Sequence, residues 1–133
     1  MRWIPTFILA ACLPACGSEQ PVSTYIFYGT AICTSWSASA RNVYIRLTSP
    51  DGDIESPAAY QAGCQLEGPS CDFQHNSVAE GEYRAFGFID MNANAAYGDP
   101  LPDTGDLVSP GRPLYMLAKQ RMDFPDASWH LMP

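Results

Sequence analysis

The chain has 133 residues, enough for one domain with a single hydrophobic core. Hydrophobic residues make up 47% of it and charged residues 16%, and Gly and Pro are frequent, a composition typical of a turn-rich β domain rather than a helical or disordered one. Seven bases against fourteen acids give a formal charge of −7, which argues against nucleic acid as a partner and against electrostatic adhesion to anionic lipid.

The first residues follow the pattern of a secretion signal. Arg2 supplies a positive charge, and the apolar run 3–13 is shorter than the roughly 20 residues that span a bilayer. The sequence LPAC at 13–16 resembles a bacterial lipobox, in which the Cys becomes the lipid-bearing N-terminus of the mature protein. The N-terminus therefore predicts an exported, lipid-anchored bacterial protein.

The lipobox implies that Cys16 carries the lipid (palmitate), that residues 1–15 are the signal peptide, and that residues 16–23 are the lipidated Cys and its tether. Cys12, at the end of LAAC, remains an alternative lipid site. Gly17 stands where many lipoproteins kept at the inner membrane have Asp. We therefore expect attachment to the outer membrane, on its periplasmic or surface face.

Beyond the tether the sequence shows β-strand patterns. NVYIRLT at 42–48 alternates strictly between apolar and more polar residues, which indicates a half-buried strand. SPDGD at 49–53 is a turn pattern, and no window of eleven or more residues keeps a helical period. The predicted strands are 24–33, 42–48, 59–66, 71–78, 80–90, 113–124 (as one long strand or two short ones) and 128–132. About seven short strands predict a single antiparallel β-sandwich.

Export permits a disulfide bond. Cys64 and Cys71 flank a Gly-Pro turn, so they can face each other across a hairpin, and we predict that they are paired. A bond from Cys33 to either of them is an alternative. Otherwise we expect Cys33 to be a buried, inert residue on a strand.

Three segments together resemble the transthyretin-like, carboxypeptidase-regulatory-like modules of secreted bacterial proteins. They are GTAIC at 29–33, NVYIRLTSPDG at 42–52 and EGEYRAFGFIDMNAN…DTGD at 80–106. The resemblance implies a transthyretin- or immunoglobulin-like β-sandwich over residues 24–133. It also implies an accessory module without catalysis.

Acidic and amide side chains gather after the strand 80–90. Calcium takes six to eight oxygen ligands. Several carboxylates close together in the sequence, with no Lys or Arg nearby, repel one another, and a bound cation would relieve that repulsion. The candidate ligands are Asp90, Asn92, Asn94, Asp99, Asp103 and Asp106. The segment is not an EF-hand, because Ala95 and Leu101 stand where that loop has Gly and Glu. A purely structural polar turn stays open as the alternative, since Asp and Asn are common in turns.

Catalysis is not expected, because no Ser lies in a Gly-x-Ser-x-Gly turn and no nucleophile-base pattern stands out. Only His75 and His130 could supply imidazole ligands, too few for a typical structural zinc site. We therefore expect a non-catalytic, lipid-anchored module of the cell envelope, with calcium as its candidate cofactor.

A second hypothesis is a module that binds carbohydrate or an envelope protein through exposed aromatic residues, which stack on sugars or anchor interfaces. Trp36, in the Ser-rich TSWSAS, is the strongest candidate for exposure. The aromatics considered are Trp36, Tyr44, Tyr97 and Trp129, with core packing expected for Trp129.

Overall fold

The structure is a computed structural model and describes residues 21–34, 37–96 and 98–133. The predicted signal peptide, the lipid site Cys16 and its alternative Cys12 lie outside the described residues, as do Trp36 and Tyr97. Nothing in this structure therefore bears on those predictions.

The alternating patterns form nine strands and one short 3-10 helix, and the described residues contain no α-helix. The strands are β1 (Thr24–Ile32), β2 (Asn42–Thr48), β3 (Tyr60–Gln65), β4 (Ser70–Ala79), β5 (Gly81–Asp90), β6 (Leu107–Val108), β7 (Arg112–Met116), β8 (Gln120–Arg121) and β9 (His130–Leu131). The 3-10 helix Asp126–Ser128 precedes β9. The prediction of an all-β domain is confirmed.

Two sheets pack against each other as a β-sandwich. The smaller sheet has the order β4-β1-β8, and β8 runs parallel to β1. The larger sheet has the order β3-β2-β5-β6-β9. β5 pairs with β2 along one edge, while β7 and then β6 share its other edge. β5 therefore lies at the centre of the larger sheet, and the acidic segment begins where it ends.

The core forms between the inward faces of the two sheets. β2 contributes Val43, Ile45 and Leu47, and β1 contributes Phe27 and Ala31, all of them buried. These β2 residues alternate along the strand as the sequence predicts, because successive side chains of a strand point to opposite faces. Burial of this apolar area stabilises the fold at about 25 cal/mol per Å².

Gly87 of β5 is required by the packing of the core. An added Cβ there would lie 3.1 Å from the Trp129 ring and 3.2 Å from both Ile45 and Phe124. The missing side chain lets the Trp129 and Phe124 rings, which are stacked at 6.0 Å, pack directly on the larger sheet. The C-terminal segment thus closes the core.

The segment 113–124 takes the second of its two predicted forms, because β7 and β8 are separate short strands with Leu117 exposed between them. Two other details differ from the predicted strands. Only residues 130–131 of the predicted last strand are extended and paired, because the 3-10 helix takes the residues before Trp129. The two-residue strand β6 was not predicted, since it is too short to show a period.

The expectation that residues 42–48 are buried on one face only is wrong. Arg46 and Thr48 point away from the core, yet both are 0% exposed. The reason is that connections between strands cover this outer face. Ile54 and Asp99 lie on Arg46, and Gly52 lies directly against the Thr48 hydroxyl.

The Cys64–Cys71 disulfide bond is present, as predicted, and joins β3 of the larger sheet to β4 of the smaller. The two Cα atoms are 5.9 Å apart. Cys33 lies outside this bond and is buried, and its backbone N–H donates to the Pro69 carbonyl at 2.7 Å. The bond therefore ties the two sheets together beside the turn that joins β3 to β4. The predicted hairpin is wrong, because these two strands belong to different sheets and, among the described residues, only the bridge between Glu67 and Ser70 pairs their ends.

We predict that Gly29→Ala lowers the free energy of unfolding by about 3 kcal/mol, at the upper end of typical overpacking costs. The reason is that a Cβ at Gly29 would lie 1.9 Å from the backbone carbonyl oxygen of Met122, whose N–H donates to the Tyr28 carbonyl alongside β1. Urea unfolding followed by fluorescence measures the change. Thr24→Ala, at an exposed position of the same strand, is the control. Equal stability of the two variants would contradict the close approach.

Candidate functional site

The candidate site lies on the outer face of the larger sheet, where β2 and β5 place aromatic and polar side chains side by side. Tyr44 and Phe88 face each other in the register of the two strands and stack with ring centroids 5.0 Å apart. Phe88 is 0% exposed and Phe86 is also buried. The site of an added Cβ at Gly111 is 2.4 Å from the Phe86 ring, so the backbone there packs directly on the sheet.

Arg46 is the one basic side chain that is completely buried among the described residues. Its Nη2 donates to Oδ1 of Asp99 at 2.7 Å, and its Nη1 donates to the carbonyl of Ile54. Gln61, opposite Arg46 on β3, donates to the same Asp99 oxygen at 3.0 Å. Gln61 also donates to the Gly98 carbonyl at 3.1 Å, so the sheet holds the acidic segment 91–106 at Gly98 and Asp99.

This contact corrects one premise of the sequence analysis. Asp99 does have a base beside it, because Arg46 reaches it from a position 53 residues earlier in the chain. The charge of Asp99 is balanced by this guanidinium. Its role as a calcium ligand stays a prediction.

Asp90 and Asp106 hold the two ends of the segment by accepting backbone hydrogen bonds. The Asp90 carboxylate accepts the N–H groups of Asn94 at 3.3 Å and Ala95 at 3.0 Å. The Asp106 carboxylate accepts those of Met91 at 2.9 Å and Asp103 at 3.0 Å. Both acids are buried, so they satisfy backbone donors that would otherwise be costly to leave unpaired.

The Asp103 carboxylate accepts hydrogen bonds from the side chains of both Asn92 and Asn94. Its Oδ1 accepts from Nδ2 of Asn92 at 3.1 Å, and its Oδ2 accepts from Nδ2 of Asn94 at 2.6 Å. Together with the Asp90 and Asp106 contacts, these bonds form a network that joins five of the six predicted calcium ligands. Asp99 stands apart from it, on Arg46.

The pKa values of Asp103 and Asp106, at the end of the segment, are shifted in opposite directions. Burial raises the pKa of Asp106 above its ordinary value. The amides of Asn94 and Asn92 lower the pKa of Asp103. Asp106 therefore adds stability at low pH that is lost as the pH rises through its folded-state pKa. Asp103 adds stability above its unfolded-state pKa that is lost as the pH falls through its folded-state pKa.

The arrangement shows no preformed metal site within the described ranges. No group of three or more His, Cys, Asp or Glu side chains there is placed to hold a metal ion. The amide nitrogens of Asn92 and Asn94, rather than their oxygens, face Asp103. These amides would have to turn over to act as calcium ligands, so calcium binding stays a prediction.

The two histidines lie on different sheets. His75, on β4, accepts the N–H of Ser77 at its Nδ1 and contacts the Tyr60 ring edge-on at 5.2 Å. His130 is exposed on β9. Each histidine therefore has an ordinary structural setting.

The aromatic residues proposed for binding separate into two groups. Trp129 is buried in the core, as expected, and its Nε1 donates to the Ile32 carbonyl at 2.7 Å. Tyr44 is half-buried on the outer face of the larger sheet. Of these two residues, only Tyr44 keeps a surface that a ligand could reach.

A second open surface lies on the outer face of the smaller sheet. A groove of about 590 Å³ runs over Tyr28, Thr30 and Arg121, and Asp72 accepts the Thr30 hydroxyl within it at 2.7 Å. Lys119 Nζ lies 5.0 Å from the centre of the Tyr28 ring. Sequence reasoning missed these residues, because their spacing along the chain gives no pattern.

Sequence reasoning also missed Arg46 and Gln61. The signal for Arg46 was available, since it is the only charged residue in the strand NVYIRLT. Its partner could not be found from spacing, because the contact depends on how a long connection folds back over the sheet.

No helix in the described part of the chain is long and apolar enough to cross a membrane. Comparison with protein-family models, curated proteins and solved structures gives no significant match. The proposals below therefore depend on the residues themselves.

We predict that Asp103→Asn is less stable than the parent protein at neutral pH and that the difference shrinks as the pH falls below about 4. The reason is that the stabilising form of Asp103 is the carboxylate, whose lowered pKa reflects the amide bonds from Asn94 and Asn92. Thermal midpoints measured from pH 2.5 to pH 7 test this. A difference that stays constant over that range would contradict the assigned role.

Proposed function

We propose that this protein is a non-catalytic, lipid-anchored β-sandwich module of the bacterial cell envelope. The proposal combines the lipobox-like N-terminus with a sandwich that begins at Thr24, directly after the predicted tether. The anchor would attach the domain at the start of β1.

The non-catalytic part of the proposal rests on the hydrogen bonds that the carboxylates of the acidic segment accept. Its carboxylates accept hydrogen bonds from backbone N–H groups, from amides and from Arg46. General acid-base or nucleophilic chemistry needs such groups directed toward a substrate. Here they hold a long connection against the sheet, which is a structural task.

The finer fold assignment belongs to the same proposal. We infer a transthyretin-like, carboxypeptidase-regulatory-like module from the three sequence segments given above. The two packed sheets and the long connection after β5 are compatible with it. The implied role is that of an accessory module, at the outer membrane and in contact with an envelope protein or a glycan.

Calcium remains the cofactor that we propose for the acidic segment. Asp90, Asp103 and Asp106 place three carboxylates in one hydrogen-bonded network, and repulsion from Asp103 contributes to the raised pKa of Asp106. A divalent cation would relieve that repulsion. Asn92 and Asn94 would complete the oxygen set once their amides turn over.

A second candidate function is a carbohydrate- or protein-binding module. The observation that favours it is the pair of open surfaces that each include a Tyr ring, one beside Tyr44 and one over Tyr28. Aromatic rings beside hydrogen-bonding side chains are typical of sites that bind sugars or anchor protein partners. Trp36 stays a predicted contact of this module.

We predict that a clickable palmitate analogue labels the full chain in a bacterial host and that Cys16→Ser abolishes the label. Cys12→Ser is the matched control and should keep it, because the tether begins directly after Cys16. In-gel fluorescence of the purified protein measures the incorporation. Loss of the label only in Cys12→Ser would move the anchor to that residue, and no label in the parent chain would sink the lipoprotein proposal.

We predict that calcium raises the thermal midpoint of the full chain, purified in detergent, relative to the same protein in EDTA. A ligand that binds only the folded state at a hundredfold excess over its Kd stabilises it by about 2.7 kcal/mol, or several degrees for a domain of this size. The rise should disappear in Asp103→Asn and persist in Glu82→Gln, which removes one charge from the exposed side of β5. A flat response up to millimolar calcium would show that the segment is a structural turn.

A further inference from the structure

A small pocket opens on the outer face of the larger sheet, next to the buried Arg46. Its volume is about 330 Å³, within the range of roughly 300–1,000 Å³ that is typical of small-ligand pockets. It is lined by Tyr44, Gln61, Ala95, Ala96, Gly98 and Pro100. Gly63 stands opposite Tyr44 on β3, so no side chain fills the space on that side of the ring.

The Arg46 guanidinium beside this pocket has a donor that the described protein does not use. Its Nε–H has no hydrogen-bond partner among the described residues, although the side chain is 0% exposed. Asp99 offers one oxygen to Nη2 and shares that oxygen with Gln61. A carboxylate that matches an arginine fork forms two parallel bonds. Asp99 therefore makes only one of these two bonds, to Nη2, and leaves Nε without an acceptor in the part of the chain that the structure describes.

We propose that the pocket binds a carboxylate-bearing sugar, whose carboxylate replaces that of Asp99 on Arg46. The incoming group accepts from both Nη2 and Nε, and so satisfies the unused donor. Gln61, released from Asp99, donates to the same ligand, and the sugar ring lies against the ring of Tyr44. This inference rests on the second candidate function and gives it a ligand class.

Asp99 can leave without a rearrangement of the sheet. Its side chain is 47% exposed, so rotation about its own bonds carries the carboxylate into water. Arg46 keeps its bond to the Ile54 carbonyl during the exchange. One negative charge replaces another, so the buried guanidinium is never left uncompensated.

The pocket favours a uronic acid over a phosphate or a neutral sugar. Arg46 supplies one positive charge, which matches a single carboxylate, whereas a phosphate dianion would bring a second negative charge that no base among the described lining residues offsets. A neutral sugar offers no anion for the fork. The walls otherwise present an aromatic ring, a proline and small side chains, which suit the apolar face of a sugar ring.

Asp99 acts in this proposal as an internal competitor. The apparent affinity of a ligand falls by the fraction of molecules in which the site is open, so removal of the competitor tightens binding. If Asp99 is displaced in about one molecule in ten, its removal should tighten binding about tenfold.

The test is isothermal titration of the full chain in detergent with glucuronate, and with glucose as the neutral sugar. We expect saturable binding of glucuronate and none of glucose. Asp99→Ala should lower the Kd for glucuronate about tenfold, and Arg46→Met should abolish binding. Gln61→Ala should weaken binding, and it removes no buried charge. This variant keeps the test decisive if a thermal melt shows that Arg46→Met does not fold.

Absence of glucuronate binding in both the parent and Asp99→Ala would overturn the assignment. Equal affinity for glucose, or an unchanged Kd in Asp99→Ala or in Gln61→Ala, would overturn it as well. The binding-module proposal itself is tested separately by a glycan array. Reproducible hits that are lost on Trp36→Ala, with no glucuronate binding to the pocket, would keep that proposal and remove this one.

Discussion

A charged side chain buried on the outer face of a sheet constrains everything around it, and in this protein that side chain is Arg46. Burial of an unpaired charge is costly, so the guanidinium requires acceptors that the sheet itself does not supply. Asp99 and the Ile54 carbonyl provide them from two connections that are far apart in the chain. Both connections are therefore held on the same face of the larger sheet.

The two sheets of the sandwich differ as a result. The larger sheet is covered on both faces around Arg46, Thr48 and Phe88, whereas the smaller sheet presents polar side chains such as Gln74 to water. The acidic segment and the connection that contains Gly52 and Ile54 form this cover, and the internal hydrogen bonds of the acidic segment let it keep a fixed shape over the sheet. The calcium ion that we propose would strengthen the acidic segment's part of this cover, and the proposed ligand carboxylate would replace Asp99 on Arg46.

Much of the fold could be read from the sequence because it depends on local patterns. The alternation of Val43, Ile45 and Leu47 gives the core face of β2, and the turn between Cys64 and Cys71 gives the disulfide bond, although not the assignment of its two strands to different sheets. The two-residue strand β6 could not be read, because its pairing with β5 depends on tertiary contacts. The Arg46–Asp99 pair could not be read either, since its members are 53 residues apart and neither residue shows a local pattern that names the other.

The central claim, that Arg46 holds the acidic segment through Asp99, is tested most directly by a double-mutant cycle on unfolding free energy. The variants are Arg46→Met, Asp99→Ala and the double mutant, each measured by urea unfolding. We predict that the double mutant is more stable than the sum of the two single effects implies, with a coupling of about 1 kcal/mol because Asp99 is half-exposed. Additive effects within about 0.3 kcal/mol would show that the two side chains act independently and would contradict the account.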